Sequence, residues 1–178
     1  MLKQIAKLII ALNGNLKRSQ IAAAFSWGVL LGLIPAGNIF WIVLFAVSFF
    51  FKNHHWSKLL VMALIKILYG VINPLVDAAG WEFLHIEALR SVFTQLYNMP
   101  FVPLTRFNNT LVAGGVTLGI ILWLPVFFLI WLLVPFYRNT IAPKIRESKI
   151  TKAFYQLPLV SLLVKAIETV SGTGILGR

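Results

Sequence analysis

The fold of this chain is decided by residues 21–51, an uncharged stretch that reads IAAAFSWGVLLGLIPAGNIFWIVLFAVSFFF. As one helix the stretch would be about 46 Å long, because a helix rises about 1.5 Å per residue. The hydrocarbon core of a bilayer is only about 30 Å thick, and each half of the stretch, on either side of Pro35-Ala36-Gly37-Asn38, is too short to cross it. Non-helical backbone at membrane depth is stable only where protein or a water-filled cavity satisfies its hydrogen bonds. The stretch therefore predicts a break inside the membrane and a binding site at that break.

The composition places the chain in the integral-membrane class. Of its 178 residues 59% are apolar, and the mean hydropathy is +0.85. The net charge is +11, from 16 Lys and Arg against 5 acids, but the cations flank the apolar stretches. This placement is typical of membrane topology and of contact with anionic lipid head groups. We therefore predict a membrane domain that binds no nucleic acid.

Catalytic and metal-binding motifs are missing from the sequence. Cysteine is absent, which excludes disulfides, thiolate nucleophiles and cysteine-ligated metals. The sequence also has no nucleophile elbow, P-loop, HExxH helix or plausible pair of catalytic carboxylates. We therefore expect a protein that is not an enzyme and that holds no cofactor or metal.

The pattern of apolar and polar segments predicts an all-α, polytopic membrane protein with a re-entrant helical hairpin, broken transmembrane helices and flanking interfacial amphipathic helices. A single membrane domain, 1–178, accounts for the whole chain. Its predicted parts are an interfacial helix over 1–20, a re-entrant hairpin over 21–51, a transmembrane helix over 59–79, an external loop and helix over 80–106, a kinked transmembrane segment over 107–137, and a basic, amphipathic cytoplasmic tail over 138–178.

The cations distinguish two topologies for residues 21–51. As one full span, this stretch would put the basic segments 52–58 and 138–152 outside, opposite the basic N-terminus. As a re-entrant hairpin, it puts the N-terminus and both basic segments in the cytoplasm, and the nearly neutral 80–106 outside. The positive-inside rule favours the second arrangement. We therefore predict a hairpin, with both termini cytoplasmic.

Two glycine pairs are a weak indication of an internal sequence repeat. GVLLG, from Gly28 to Gly32, resembles GVTLG at 115–119, and each is followed by a proline, Pro35 or Pro125. Corresponding broken segments in two halves are typical of transporters built from repeats. A chance match between two apolar segments explains the similarity equally well. Pro125 has no glycine or amide beside it, which favours one kinked span over a second hairpin. The first pair is also a GxxxG motif, which allows close helix packing inside the protein.

Three polar residues lie on one line of the second apolar segment. Lys66, Asn73 and Asp77 are spaced i, i+7 and i+11, within about 20° of each other at 100° per residue. Charges inside a membrane segment cost roughly 2.5–3.5 kcal/mol each and usually face the protein interior or a cavity. The functional interpretation is an ion- or head-group-binding stripe opposite the break. The structural alternative is that Lys66 and Asp77 reach toward opposite interfaces and that Pro74 bends the helix.

A cation and two amides precede the third apolar segment, in Arg106-Phe107-Asn108-Asn109. Either amide is a candidate N-cap for the following helix. Arg106 is a candidate partner for a phosphate head group, since a guanidinium binds phosphate strongly. Both roles fit the sequence.

A resemblance to a known family rests on residues 23–38, AAFSWGVLLGLIPAGN, together with Asn73-Pro74. These segments resemble the bacterial membrane family catalogued as domain of unknown function 2062, whose pattern is G-x-x-x-G-x-x-P-x-x-G-x with a downstream Asn-Pro. The last glycine of the pattern comes early here, at Gly37, and Asn38 stands where glutamine is common. The positions that match the pattern are Gly28, Gly32 and Pro35.

The resemblance covers roughly residues 15–80. The remaining residues resemble a longer subfamily from bacteria with outer membranes, whose members are encoded beside a larger envelope protein. The resemblance implies a broken membrane segment with a site, and it names no ligand.

The residues and the resemblance lead to three hypotheses. The first is a multi-pass protein of a bacterial inner membrane that handles a lipid or a lipid-linked anion, as partner of a larger envelope protein. The second is an ion- or proton-coupled transporter in which Asp77 titrates and Asn73 coordinates, and the third is a ligand-free scaffold. The candidate binding residues are Pro35, Gly37, Asn38, Lys66, Asn73, Asp77 and Arg106, and the candidate structural residues are Gly28, Gly32, Pro74 and Pro125.

Overall fold

The computed structural model describes residues 16–141. All regular elements in this range are helical, which confirms the all-α class for this part of the chain. The elements are α1 (Arg18–Leu33), α2 (Ile39–Val47), α3 (His55–Leu84), a 3₁₀ helix (Glu87–Leu89), α4 (Arg90–Asn98), a second 3₁₀ helix (Val102–Thr105), α5 (Thr110–Phe136) and a π-helical turn (Tyr137–Ile141).

Two predicted segments fall largely beyond this range. The interfacial helix predicted over 1–20 and the tail predicted over 138–178 lie almost wholly outside the described residues. The described residues up to Pro135 belong to one compact unit, and those from Phe136 onward belong to a second.

The long uncharged stretch contains α1 and α2 with a break between them. Pro35 ends α1, because its ring disfavours helical backbone at Ile34, where φ is −81° and ψ is 129°. Gly37 then adopts a φ of 91°, a left-handed conformation that a residue with a Cβ rarely takes. Asn38 caps α2 through its side chain. Residues 34–38 are the tip, and α1, the tip and α2 together form the hairpin.

The chain returns from the tip to the place where α1 began. The backbone N–H of His54 donates to the Gln20 carbonyl across 3.4 Å, so α3 starts beside the start of α1 and runs parallel to it. Gly28 makes this contact close, because a Cβ there would lie 2.7 Å from the Val61 Cβ, and Gly32 meets α3 in the same way one turn later. Small residues therefore hold α1 against α3.

Helix α5 packs antiparallel against α1. Near the end of α1, a Cβ added to Gly115 would lie 2.6 Å from the Leu33 carbonyl oxygen. Nearer the start, the Ser26 hydroxyl donates to the Trp123 carbonyl across 3.0 Å. Because α1 touches both long helices, 10 of its 16 residues are buried. It is the core of the unit.

Helices α3 and α5 meet through a pair of glycines. Gly80 lies so close to α5 that an added Cβ would overlap the Thr110 carbonyl, and Gly114 stands in the same relation to the Val76 carbonyl. Asp77 accepts a hydrogen bond from the Thr110 hydroxyl at the same place. The two backbones are in direct contact here, so no larger residue fits.

Both long helices continue through their internal prolines. Helix α3 is unbroken at Pro74, so Lys66 and Asp77 stay about 16 Å apart along its axis. Helix α5 is unbroken at Pro125. The segment 107–137 therefore contains one long helix and no second break.

Residues 85–109, the cap, join α3 to α5 and contact the hairpin. Phe93 of α4 packs between Phe83 and Phe107, with ring centroids 5.6 and 6.3 Å away. The 3₁₀ helix Val102–Thr105 contacts α2. A small apolar cavity of about 100 Å³ is lined by Phe40, Phe83, Phe107, Val112, Ala113 and Val116.

Candidate functional site

The tip satisfies much of its own backbone. The Asn38 side chain donates to the Pro35 carbonyl across 2.7 Å and accepts from the Trp41 backbone N–H across 2.7 Å. The Trp41 indole N–H donates to the Leu31 carbonyl across 2.9 Å, at the end of α1. Asn38 is buried and uses both halves of its amide in these bonds. The Asn38 side chain therefore stabilises the backbone conformation of the break.

The structure brings Lys66 directly to the tip. Its ammonium donates a hydrogen bond to the carbonyl of Ile34, one of the carbonyls that a helix leaves unsatisfied at its C-terminus. The positive charge also lies at the negative pole of α1, which is favourable. The ammonium nitrogen is 5.3 Å from the centre of the Tyr69 ring. The predicted stripe on α3 and the predicted break thus meet at one hydrogen bond.

Two polar atoms on the same face of α3 are buried without a hydrogen-bond partner among the described residues. They are the Tyr69 hydroxyl and the Asn73 Oδ1, at i+3 and i+7 from Lys66. A buried polar group without a partner costs about 1–3 kcal/mol. The ammonium, hydroxyl and amide together have hydrogen-bonding capacity that a ligand could use. Two other such atoms, Asn53 Oδ1 and His55 Nδ1, belong to the start of α3.

The other predicted charged residues lie elsewhere. Asp77 is exposed and bonded to Thr110. Arg106 is exposed and ends the second 3₁₀ helix in a left-handed conformation with φ of 54°. No hydrogen bond within residues 16–141 joins either of them to Lys66. Of the two candidate caps of α5, Asn109 accepts two backbone N–H groups of that helix.

Sequence reasoning missed the most buried charge, Lys58. Its side chain is wholly buried, and its ammonium donates to the Ser48 hydroxyl across 2.7 Å and to the Ser48 carbonyl across 3.3 Å. The same ammonium lies 3.8 Å from the centre of the Phe49 ring, a cation–π contact. Its position in the basic segment 52–58 is typical of an interfacial anchor. The one signal of a buried partner was Ser48, the single hydroxyl in residues 39–51.

The two lysines of α3 therefore play parallel roles. Lys66 donates to the carbonyl that follows α1, and Lys58 donates to the carbonyl that follows α2. A cation at a helix C-terminus stabilises it by about 0.3–1 kcal/mol when exposed and up to about 2 kcal/mol when partly buried. Helix α3 thus supplies one cation to each helix of the hairpin.

The charges of the described residues are distributed unevenly along the unit: all the acids lie toward the cap, where Arg90 and Arg106 also lie, whereas the opposite end has cations and no acid. Lys17, Arg18 and Lys52 lie at the end where α1 and α3 begin, the basic end. The guanidinium of Arg18 stacks 3.7 Å from the centre of the Trp131 ring, which places the last part of α5 at this end as well. All acids in residues 16–141 follow the middle of α3, toward the cap: Asp77, Glu82 and Glu87.

These observations define the class of the protein. Helices α3 and α5 are long and apolar enough to cross a bilayer, and their most apolar windows of 18 residues are only 17% and 6% buried inside the protein. The core helix of a soluble protein would be mostly buried. Residues 16–141 contain no group of three His, Cys, Asp or Glu side chains that could hold a metal. The part of the chain that the structure describes is all-helical and contains two helices suited to spanning a membrane.

Comparison with known proteins gives its family. The chain is 31% identical over 159 residues to an uncharacterized protein of Treponema pallidum (strain Nichols), which covers 89% of this chain and 98% of the relative. It belongs to the same family as that protein. No protein-family profile matches the chain, and no solved structure matches it.

Proposed function

We propose that this is a multi-pass protein of a bacterial inner membrane, in which the hairpin is re-entrant. Three observations support the proposal: α1 and α3 start side by side, α5 approaches the same end, and that end is basic. By the positive-inside rule the basic end is cytoplasmic, as are both termini. Helices α3 and α5 then cross the bilayer, and the cap lies on the outer side.

The function that this arrangement supports best is the handling of a lipid or a lipid-linked anion at Lys66. An ammonium has three N–H donors, and one of them goes to the Ile34 carbonyl. Two remain for a phosphate or carboxylate. The Tyr69 hydroxyl supplies a further donor near the ammonium, and the Asn73 Oδ1, on the same face of α3, is an acceptor for a hydroxyl group of the same ligand. The burial of these two atoms without a partner, on the face of α3 that holds the cation, is the observation that carries the proposal.

The depth of Lys66 in the bilayer indicates whether the site holds a lipid head group at rest or one in transit. Lys66 is 11 residues into α3, and therefore about 17 Å from its start, near the middle of a hydrocarbon core about 30 Å thick. A head group cannot rest there unless protein surrounds it, because charge in hydrocarbon is costly. The site therefore suits an anion that is moving between the two faces of the bilayer.

The test is the amount of lipid that co-purifies with the protein, measured by native mass spectrometry. Lys66→Met should abolish co-purification, whereas Lys52→Met, which removes an exposed cation at the basic end, should leave it unchanged. Tyr69→Phe and Asn73→Leu keep the bond between Lys66 and the tip and should each reduce bound lipid several-fold. Wild-type amounts of lipid in Lys66→Met would overturn the proposal.

Two rival functions have their own support. A ligand-free scaffold fits the hydrogen bonds that the tip makes within itself, and it requires unchanged lipid in all three site variants. An ion- or proton-coupled transporter would use Asp77, and Asp77→Asn should then remove pH-dependent flux in proteoliposomes. Asp77 already accepts a hydrogen bond from Thr110, so Asp77 is less well placed than Lys66 for a ligand at the tip.

The resemblance to the family of domain of unknown function 2062 belongs to the same proposal. It rests on the glycines and proline of α1 and the tip, and on Asn73-Pro74 in α3. The larger envelope protein that it implies would complete the path of the lipid beyond the membrane. Co-purification of such a partner with the tagged protein from its native membrane is the corresponding test.

A further inference from the structure

The cap has two faces of different character. The inner face is aromatic and packs against α3 through Phe93 and Phe83, with Phe107 of the cap on the other side of Phe93. Several other apolar residues of the cap are exposed. Phe101 is 80% exposed and Leu104 is 55% exposed, and Met99 and Tyr97 are similarly exposed. The segment 99–104 is thus an apolar loop whose side chains find little cover in the protein.

The backbone holds this loop in a defined shape. Phe101 has a φ of 70° and Arg106 a φ of 54°, and these two left-handed residues bracket the second 3₁₀ helix. The contact of that 3₁₀ helix with α2 fixes it against the hairpin. The exposure of Phe101 is therefore a feature of the folded cap.

The cap adjoins the exposed apolar surface of α3. Trp81 follows the glycine contact at which α5 begins, and it is exposed like the loop. Exposed apolar residues continue along α3 from there, among them Leu75 and Val71, and those of α5 begin at Ile120 and include Leu124. On the proposal that α3 and α5 span a bilayer, this whole surface faces lipid.

The composition around the loop is that of a membrane interface. Trp and Tyr are enriched where a bilayer meets water, and Trp81 and Tyr97, which both precede the loop along the chain, are exposed. Arg90 and Arg106 bracket the segment and can reach phosphate head groups. The polar residues of α4 are also exposed, including Ser91 and Gln95, as in a helix that lies along an interface.

We infer that the loop 99–104 inserts into the interface of the outer leaflet, with Phe101 and Leu104 among the acyl chains and the polar face of α4 in water. The partner of this surface is thus lipid. A protein partner would cover the same residues. The two cases differ in which small reagents can collide with a label on the loop. Oxygen concentrates in the bilayer, whereas a polar nickel chelate stays in water.

The absence of cysteine from the chain makes a direct test possible. Nitroxide labels on Phe101→Cys, Leu104→Cys, Ser91→Cys and Leu124→Cys are compared in vesicles of phosphatidylcholine and phosphatidylglycerol, by collision with oxygen and with the nickel chelate. We expect labels 101 and 104 to resemble the span control at 124, with oxygen access several-fold favoured, and label 91 to favour nickel.

Every other outcome overturns the inference. Nickel access at labels 101 and 104 equal to that at label 91 means that the loop is in water. Shielding of both labels from both reagents means that protein covers the loop. Nickel access at label 124 would reject the spanning helices as well, so failure of the loop insertion alone is distinguishable from failure of the membrane proposal. Failure of the loop insertion alone does not bear on the lipid site at Lys66, whereas rejection of the spanning helices does.

Discussion

The tip of the hairpin and the end of α2 are each held by a lysine of α3, yet the two lysines differ in what surrounds them. Lys58 is wholly buried, stacks on Phe49 and has both acceptors of Ser48. Lys66 makes one bond to the tip, and two polar atoms on its face of α3 have no partner among the described residues. A cation whose surroundings are complete stabilises the fold, whereas one whose surroundings are incomplete has capacity left for a ligand.

The largest expected effect comes from separating α1 from α3, which disturbs both lysine contacts at once. In Gly28→Leu the new side chain meets the Val61 Cβ and the Lys58 carbonyl, which lie 2.7 and 2.8 Å from the Cβ position. Overpacking of this kind should lower the free energy of unfolding by about 3 kcal/mol. Unfolding in mixed detergent micelles measures it.

Gly70→Leu is the matched control for this substitution. Gly70 lies on α3 with no atom within 4 Å of an added Cβ, so the variant should be as stable as the wild type or slightly more stable, because glycine is a poor helix former. Equal stability of the Gly28 and Gly70 variants would contradict close packing of α1 on α3.

A medium effect distinguishes the two lysines. Ser48→Val removes the hydroxyl that Lys58 uses, and loss of a hydrogen bond to a charged group should cost about 2 kcal/mol. Asn73→Leu removes an unpartnered oxygen on the Lys66 face of α3, so the same unfolding measurement should show no loss of stability. Comparable losses in the two variants would mean that both lysine environments are structural.

The smallest effect concerns the tip. Asn38→Ala removes the N-cap hydrogen bond of α2 and the bond to the Pro35 carbonyl. It should lower the free energy of unfolding by about 1 kcal/mol. Asn38→Ser keeps a hydroxyl that can cap the helix and should restore about half of the loss. Full stability of Asn38→Ala in the same unfolding assay would show that the break does not depend on its amide.

Some of these features could be predicted from the sequence because they depend on local rules. The mismatch between a stretch of 31 uncharged residues and a bilayer predicted the break at Pro35. Helical periodicity placed Lys66 and Asn73 on one face of α3. The same periodicity also placed Asp77 on that face. Because α3 is unbroken, Asp77 lies well beyond Lys66 along the helix and bonds to Thr110 at the start of α5.

Other features depend on which helices meet, and a single sequence does not contain that information. The partner of Lys66, the Ile34 carbonyl, is 32 residues away in the chain. Lys58 looked like an interfacial anchor because its burial depends on how α2 returns to α3. Gly80 and Gly114 lie on different helices and Gly80 has no glycine near it in the sequence, so no motif marked their contact.

The bond between Lys66 and Ile34 also has a consequence for the order in which segments insert during synthesis. The ribosome adds Ile34, which follows α1, 32 residues before it adds the lysine that pairs with it. During that interval the end of α1 lacks this partner, and a helix end with unpaired carbonyls is poorly soluble in hydrocarbon. On the proposal that the hairpin is re-entrant, its stable insertion waits for the first half of α3 to emerge. A ribosome stalled where the hairpin has left the exit tunnel and residue 66 has not should hold a nascent chain whose hairpin is still extractable from the membrane by alkali.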